Sequence, residues 1–133
     1  MTAAPPPPDT LRFTVALAAS VRRGEAVLIT LRLANTSDRR VTLYLTGRTI
    51  SFDVVVTGPD SQVVWRRLDH VTTQQIVHVK ALAPGEALEF HARWRADAPA
   101  GTYTVIGVIP TDREPFRTTP APLRILPPAP TPP

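Results

Sequence analysis

The sequence has no cysteine, one lysine, six glycines and no long apolar run. Without a thiol there is no disulfide scaffold, no iron–sulfur or thiolate zinc site and no cysteine nucleophile. No stretch approaches the roughly 18 consecutive apolar residues that cross a bilayer as a helix. The N-terminal Met1-Thr2-Ala3-Ala4 shows neither a basic nor an apolar leader. The expected location is therefore the cytoplasm, or the cytoplasmic face of a membrane complex. Helical periodicity is missing too, so no substantial helix is expected.

Proline is what the chain has in excess, with 16 in 133 residues, more than twice the usual share of roughly 5%. Pro5, Pro6, Pro7 and Pro8 form one run, and Pro127, Pro128, Pro130, Pro132 and Pro133 crowd the other end. The stretch between has an ordinary composition. The expected organisation is a proline-rich arm at 1–8, one domain at 9–126 and a second arm at 127–133. A chain of this length supplies one core, and 43% apolar residues argue against disorder throughout. The formal charge of +4 permits an acidic partner. All but one of the 15 basic residues are arginine, which a high-GC bacterial coding style also produces.

Between the arms the apolar pattern has a period of two, the signature of strands with one buried face. Leu11, Phe13, Val15 and Leu17 alternate with Arg12, Thr14 and Ala16, and Val27, Ile29, Leu31 and Leu33 alternate with Leu28, Thr30, Arg32 and Ala34. Further strands are expected at Val41–Leu45, Phe52–Val56, Val63–Trp65, Ile76–Leu82, Leu88–Trp94, Tyr103–Ile109 and Leu123–Leu126. Turns are signalled by Arg23-Gly24-Glu25, Asn35-Thr36-Ser37-Asp38, Gly58-Pro59-Asp60-Ser61, Ala83-Pro84-Gly85-Glu86 and Asp97–Gly101. Eight or nine short strands at this spacing predict an all-β fold, an immunoglobulin-like antiparallel β-sandwich. Trp65, Phe90, Trp94 and Tyr103 are its expected large core members.

Several ordered pieces resemble one family. They are Leu31-x-Leu-x-Asn-Thr-Ser-Asp38, Thr46-Gly-Arg-Thr-Ile-Ser-Phe-Asp-Val-Val-Val56 and Gly58-Pro-Asp-Ser-Gln-Val-Val-Trp-Arg66. Leu82-Ala-Pro-Gly-Glu86, Phe90-x-x-x-Trp94 and Gly101-Thr-Tyr-Thr-Val105 follow in order. Together they make Val27–Ile109 similar to the BsuPI-type intracellular proteinase inhibitors. The resemblance implies an immunoglobulin-like sandwich and, as activity, inhibition of serine proteinases. The matched positions are core and turn residues, and none is an inhibitory site. The chain departs from the family at Arg66-Arg67-Leu68-Asp69, where another aromatic and a serine are usual.

Enzyme chemistry has little to stand on. There is no Gly-x-Ser-x-Gly, no phosphate-cradling loop and no paired metal-ligand spacing. His70 falls in a connection, and His78 and His91 fall on strands in the outward or edge phase. Asp53, flanked by Phe52 and Val54, reads as a cross-strand partner for an arginine. The expectation is a protein-binding module with no catalytic residue, cofactor or metal.

An inhibitor without disulfides must hold its binding loop by proline and by anchoring to the sandwich. The segment 110–120, Pro-Thr-Asp-Arg-Glu-Pro-Phe-Arg-Thr-Thr-Pro, meets that description, with Arg113, Phe116 or Arg117 as anchor side chains. A plain solvated connection is the alternative reading. Arg48, between Thr46 and Ser51, is a second candidate. A different reading gives the binding role to the arms, through Pro5, Pro6, Pro7, Pro8, Pro127 and Pro128, since polyproline segments lose little entropy on docking. The protein partner is then a serine proteinase or the subunits of a larger assembly. Arginine doublets at turns, with Arg93 and Arg95, add an acidic protein or an anionic membrane surface as partners. Nucleic acid is disfavoured because the aromatics fall in the inward phase.

Overall fold

The computed structural model describes residues 11–46, 52–70, 77–110 and 115–128. They form β1 (Leu11–Ala16), β2 (Ser20–Arg22), β3 (Ala26–Asn35), β4 (Val41–Thr46), β5 (Asp53–Thr57), β6 (Val63–Arg66), β7 (Val77–Leu82), β8 (Ala87–Arg95), β9 (Gly101–Ile109), β10 (Phe116–Arg117) and β11 (Ala121–Leu126). One short 3-10 turn, Arg67–His70, follows β6.

The first sheet has the order β1-β3-β8 and the second β2-β11-β9-β5-β6, with β10 added to β9. Their inner faces carry the alternating apolar residues. Val27, Ile29, Leu31 and Leu33 of β3, with Ala92 and Trp94 of β8, share one core with Val54 and Val56 of β5, Tyr103, Val105 and Ile109 of β9, and Leu123 and Ile125 of β11. Burying each of the larger aliphatic side chains contributes roughly 1.5–3 kcal/mol. The result is the all-β fold that the alternation predicts, with two main sheets and a third, two-stranded sheet of β4 and β7.

Three details differ from the expectation. The described residues hold eleven strands and not eight or nine, because β2 and β10 are made by pairing rather than by an apolar pattern. The pairing of β2 with β11 is parallel, so the fold is not wholly antiparallel. Among the described residues β4 pairs only with β7, so these two strands form a small sheet of their own beside the two expected sheets.

Of the four aromatics expected in the core, Trp94 and Tyr103 are buried, while Trp65 and Phe90 are half-buried against it. Trp65 lies on an edge strand and stacks on Trp94, with centroids 6.0 Å apart. Phe90 tilts against Phe52 at 5.1 Å.

The outer face of β5 is also covered. Asp53 and Val55 are buried because the Arg67–His70 turn folds over them. The Leu68 amide donates to the Asp53 carboxylate at 3.0 Å. Arg67 Nη1 donates to the Phe52 carbonyl at 2.7 Å, with its guanidinium 3.7 Å above the Phe52 ring. Burial lowers the Arg67 pKa from its ordinary value, and the Asp53 charge opposes that shift. The stretch that departs from the family pattern therefore has a structural role, closing one side of β5.

The turns follow their residues. Pro84 and Gly85 occupy the centre of a turn closed by Glu86 N to Ala83 O at 2.9 Å, and Gly85 takes the positive φ of +79° that a type II turn needs there. The Tyr103 hydroxyl donates to the Pro99 carbonyl at 2.6 Å. It ties the start of β9 to the corner before it, as a tyrosine corner does in immunoglobulin-type sandwiches.

Candidate functional site

The connection from β9 to β11 does not leave the sheet as a free loop. β10 turns back antiparallel onto the end of β9, with Phe116 opposite Ile109 and Arg117 opposite Val108. Beyond it, Thr118 and Gly107 form a reciprocal clamp. The Thr118 amide donates to Gly107 O at 2.9 Å, and the Gly107 amide donates to Thr118 Oγ1 at 2.9 Å. The arc, residues 110–115 (Pro-Thr-Asp-Arg-Glu-Pro), joins two strand ends held in register; Pro110 and Pro115 are half-buried, and 111–114 lie outside the described residues.

The base of this arc is set by burial. Thr118 is buried, and Phe116 is half-buried and packed against the core. Phe116 therefore anchors the return strand to the sandwich. Arg117 is exposed beside it. Arg113 lies in the arc but outside the described residues, as do Arg48 and Pro5, Pro6, Pro7 and Pro8. Pro127 and Pro128 are exposed just after β11.

Gly107 and Thr118 were not singled out by sequence reasoning. The signal was a glycine in the inward phase of a strand, which marks a close approach of another element. A Cβ at Gly107 would fall 2.4 Å from Leu31 Cδ2 and 3.1 Å from Thr118 Cγ2. Leu31 belongs to β3, so at Gly107 a side chain of the first sheet packs directly against the backbone of the second.

Among the described residues no cluster of three or more His, Asp or Glu is placed to hold a metal ion, and no helix is long and apolar enough to cross a membrane. Asp53 is occupied by backbone amides of Val54 and Leu68. His91 is exposed and within 3.3 Å of Thr30 Oγ1.

A family model described as intracellular proteinase inhibitor, BsuPI, matches residues 13–114. The match runs from β1 through β9 into the arc. The chain belongs to the BsuPI family. The matched span takes in most of the BsuPI domain described above, and the family's description gives an intracellular inhibitor of proteinases. A search of curated proteins gives no match.

Solved structures show the same fold at low identity. The C-terminal domain of wzt is 9% identical with a TM-score of 0.56, over 88% of this chain and 74% of that one. The Pseudomonas fluorescens alkylpurine DNA glycosylase AlkC, solved bound to DNA containing an abasic site analog, is 11% identical with a TM-score of 0.51, over 88% of this chain. This chain spans 30% of the glycosylase's length. At such identities the likeness concerns the fold alone.

Proposed function

We propose that this BsuPI domain is a non-enzymatic inhibitor of serine proteinases and that the arc 110–115 enters the enzyme's cleft. The observation that supports the reading is the closure of the arc's base by the Ile109–Phe116 pair and the Gly107–Thr118 clamp. Ordering a free loop costs about 1–2 kcal/mol per residue in backbone entropy. A segment whose ends are already fixed in a sheet, with Pro110 and Pro115 restricting φ, has met part of that cost before binding. After cleavage the two new ends would remain held together, which favours resealing over release. Arg113, within the segment 110–115, suits an enzyme whose specificity pocket is anionic.

The expected result is stoichiometric inhibition of a trypsin-like serine proteinase by the full-length protein. Arg113→Glu should raise the inhibition constant by about a hundredfold, the loss of one anchor worth roughly 2.7 kcal/mol. Failure of the wild-type protein to inhibit any of a trypsin-, chymotrypsin- and subtilisin-like panel at micromolar concentration contradicts the reading.

The other reading makes the protein an accessory subunit, docked by its proline-rich ends onto a larger, membrane-associated assembly. Its support is the composition of the two arms and the exposure of Pro127 and Pro128. Fold and family membership favour the inhibitor.

A further inference from the structure

The outer face of the first sheet carries a charge imbalance that neither the fold nor the arc uses. Register fixes which residues share it. Arg32 of β3 lies between Thr14 of β1 and Glu89 of β8. Thr30 lies between Ala16 and His91. Leu28 is opposite Arg93, Ala26 is opposite Arg95, and Arg12 is opposite Ala34 at the other end. Arg12, Arg32, Arg93 and Arg95 are exposed on this face, and Glu89 is its one carboxylate. Glu25 lies just ahead of β3 in the adjoining turn. Arg95 Nε donates to the Gly24 carbonyl at 3.0 Å. Among the described residues the side chains of Arg12, Arg32 and Arg93 make no hydrogen bond or ion pair, even though Glu89 stands opposite Arg32.

We infer that this face binds an acidic polypeptide segment. Four arginines against one carboxylate leave an uncompensated positive potential, and arginine is the side chain that meets a carboxylate with two parallel hydrogen bonds. The small side chains of Thr14, Ala16, Ala26 and Thr30 keep the face flat, so an approaching chain can reach the guanidinium groups without obstruction.

Spacing adds to the charge argument. Arg93 and Arg95 are two residues apart on β8 and point the same way, a repeat of about 6.8 Å. An extended chain with an acid at every second position has the same repeat. Leu28 is 69% exposed and stands beside Arg93, adding one apolar contact next to the guanidinium groups.

Other anionic partners fit less well. The aromatics of this sheet, Phe13, Phe90 and Trp94, are packed on or in the core, so the face has no platform on which bases would stack. A bilayer surface would be met by several inserted apolar residues, and Leu28 stands by itself as the large exposed one on this sheet.

The test is fluorescence anisotropy of the full-length protein with a labelled peptide of alternating Glu and Ser. Binding at low salt is expected, weakening steeply by about 0.2 M salt as the charges are screened. The double variant Arg32→Gln/Arg93→Gln should bind about tenfold more weakly, the loss of two exposed charge pairs near the upper end of their usual range. Arg66→Gln/Arg124→Gln removes the same charge from the second sheet and should change binding less than about threefold. Thermal melts establish that both are folded, and Arg93→Gln alone serves if the first pair is not. No binding at low salt, equal losses from the two pairs, or capture by phosphatidylserine vesicles without peptide binding would each overturn the inference.

Discussion

Replacing Gly107 by alanine is expected to destabilise the protein by about 2–3 kcal/mol, lowering its melting temperature by roughly 5–15 °C. The added methyl would meet Leu31 Cδ2 at 2.4 Å and Leu31 Cδ1 at 2.9 Å. A leucine tip at the surface would swing aside at little cost. Leu31 is fully buried between the sheets, and interiors packed at crystal density have no spare volume to receive it. The strain therefore reaches the strands, and with them the Thr118 clamp and the base of the arc. A double-mutant cycle isolates the cause. Leu31→Ala by itself should cost about 2–5 kcal/mol through its cavity. In Gly107→Ala/Leu31→Ala the new methyl enters space that the leucine vacated. The combined loss should then fall short of the sum by about 1 kcal/mol or more. Strict additivity in thermal or urea unfolding would show that the Gly107–Leu31 approach is not what makes glycine necessary.

Asn35→Leu should cost about 3–5 kcal/mol, with the far-ultraviolet signature of the strands retained at low temperature. A primary amide has two donors and two acceptor positions, and Asn35 uses all four. Its Nδ2 donates to Arg39 O at 2.6 Å and Leu82 O at 2.9 Å, while Oδ1 accepts from Ser37 N at 3.0 Å and Ser37 Oγ at 2.7 Å. The residue is 1% exposed. Leucine would fill the space and strip Leu82 O and the Ser37 amide of this partner, at about 1–3 kcal/mol for each that water cannot reach, while Arg39 O keeps the Ser37 hydroxyl at 3.1 Å. Asn35→Asp separates hydrogen bonding from volume. A carboxylate would aim one oxygen, the one in place of Nδ2, at the Arg39 and Leu82 carbonyls, so folding would favour its protonated form and raise its pKa above the unfolded value. Relative to wild type, that variant should be weakest at neutral pH and regain stability as pH falls through its raised folded-state pKa, the recovery being complete below the unfolded value of about 3.9. A stability difference that does not vary with pH would contradict the assigned bonds.

Asn35 also shows how far a sequence carries. Asn-Thr-Ser-Asp after an alternating strand announces a turn in which the asparagine bonds a backbone amide two residues on, and the Ser37 amide does so. The bond to Leu82 crosses 47 positions and joins this turn to the one between β7 and β8. No local pattern encodes such a partner. The strand phases were legible because one side of each strand meets the core. Trp65 was misplaced for the same reason: alternation says which way a side chain points but not that β6 is an edge. The cover over the outer face of β5 was not legible, because the 3-10 turn that supplies it has no period to detect.

Sequence marks 110–120 as a proline-bearing candidate segment, with Arg113, Phe116 or Arg117 as the anchor. Its closure was not legible, since β10 is two residues long and is made by its partner strand and by Thr118 reaching back to Gly107. A two-residue strand leaves no hydrophobic signature, and a threonine in Thr-Thr-Pro reads as loop.

The central claim is that 110–115 occupies a serine proteinase's catalytic cleft. It is tested most directly by mixing the protein with a trypsin-like enzyme before and after the catalytic serine has been capped by a small sulfonyl fluoride. Complex formation is followed by size-exclusion chromatography with light scattering. The account predicts a one-to-one complex with the free enzyme and at least a hundredfold weaker association once the cleft is blocked, because one group would hold the site that the arc needs. Equal binding to free and blocked enzyme, or none to either, would contradict it.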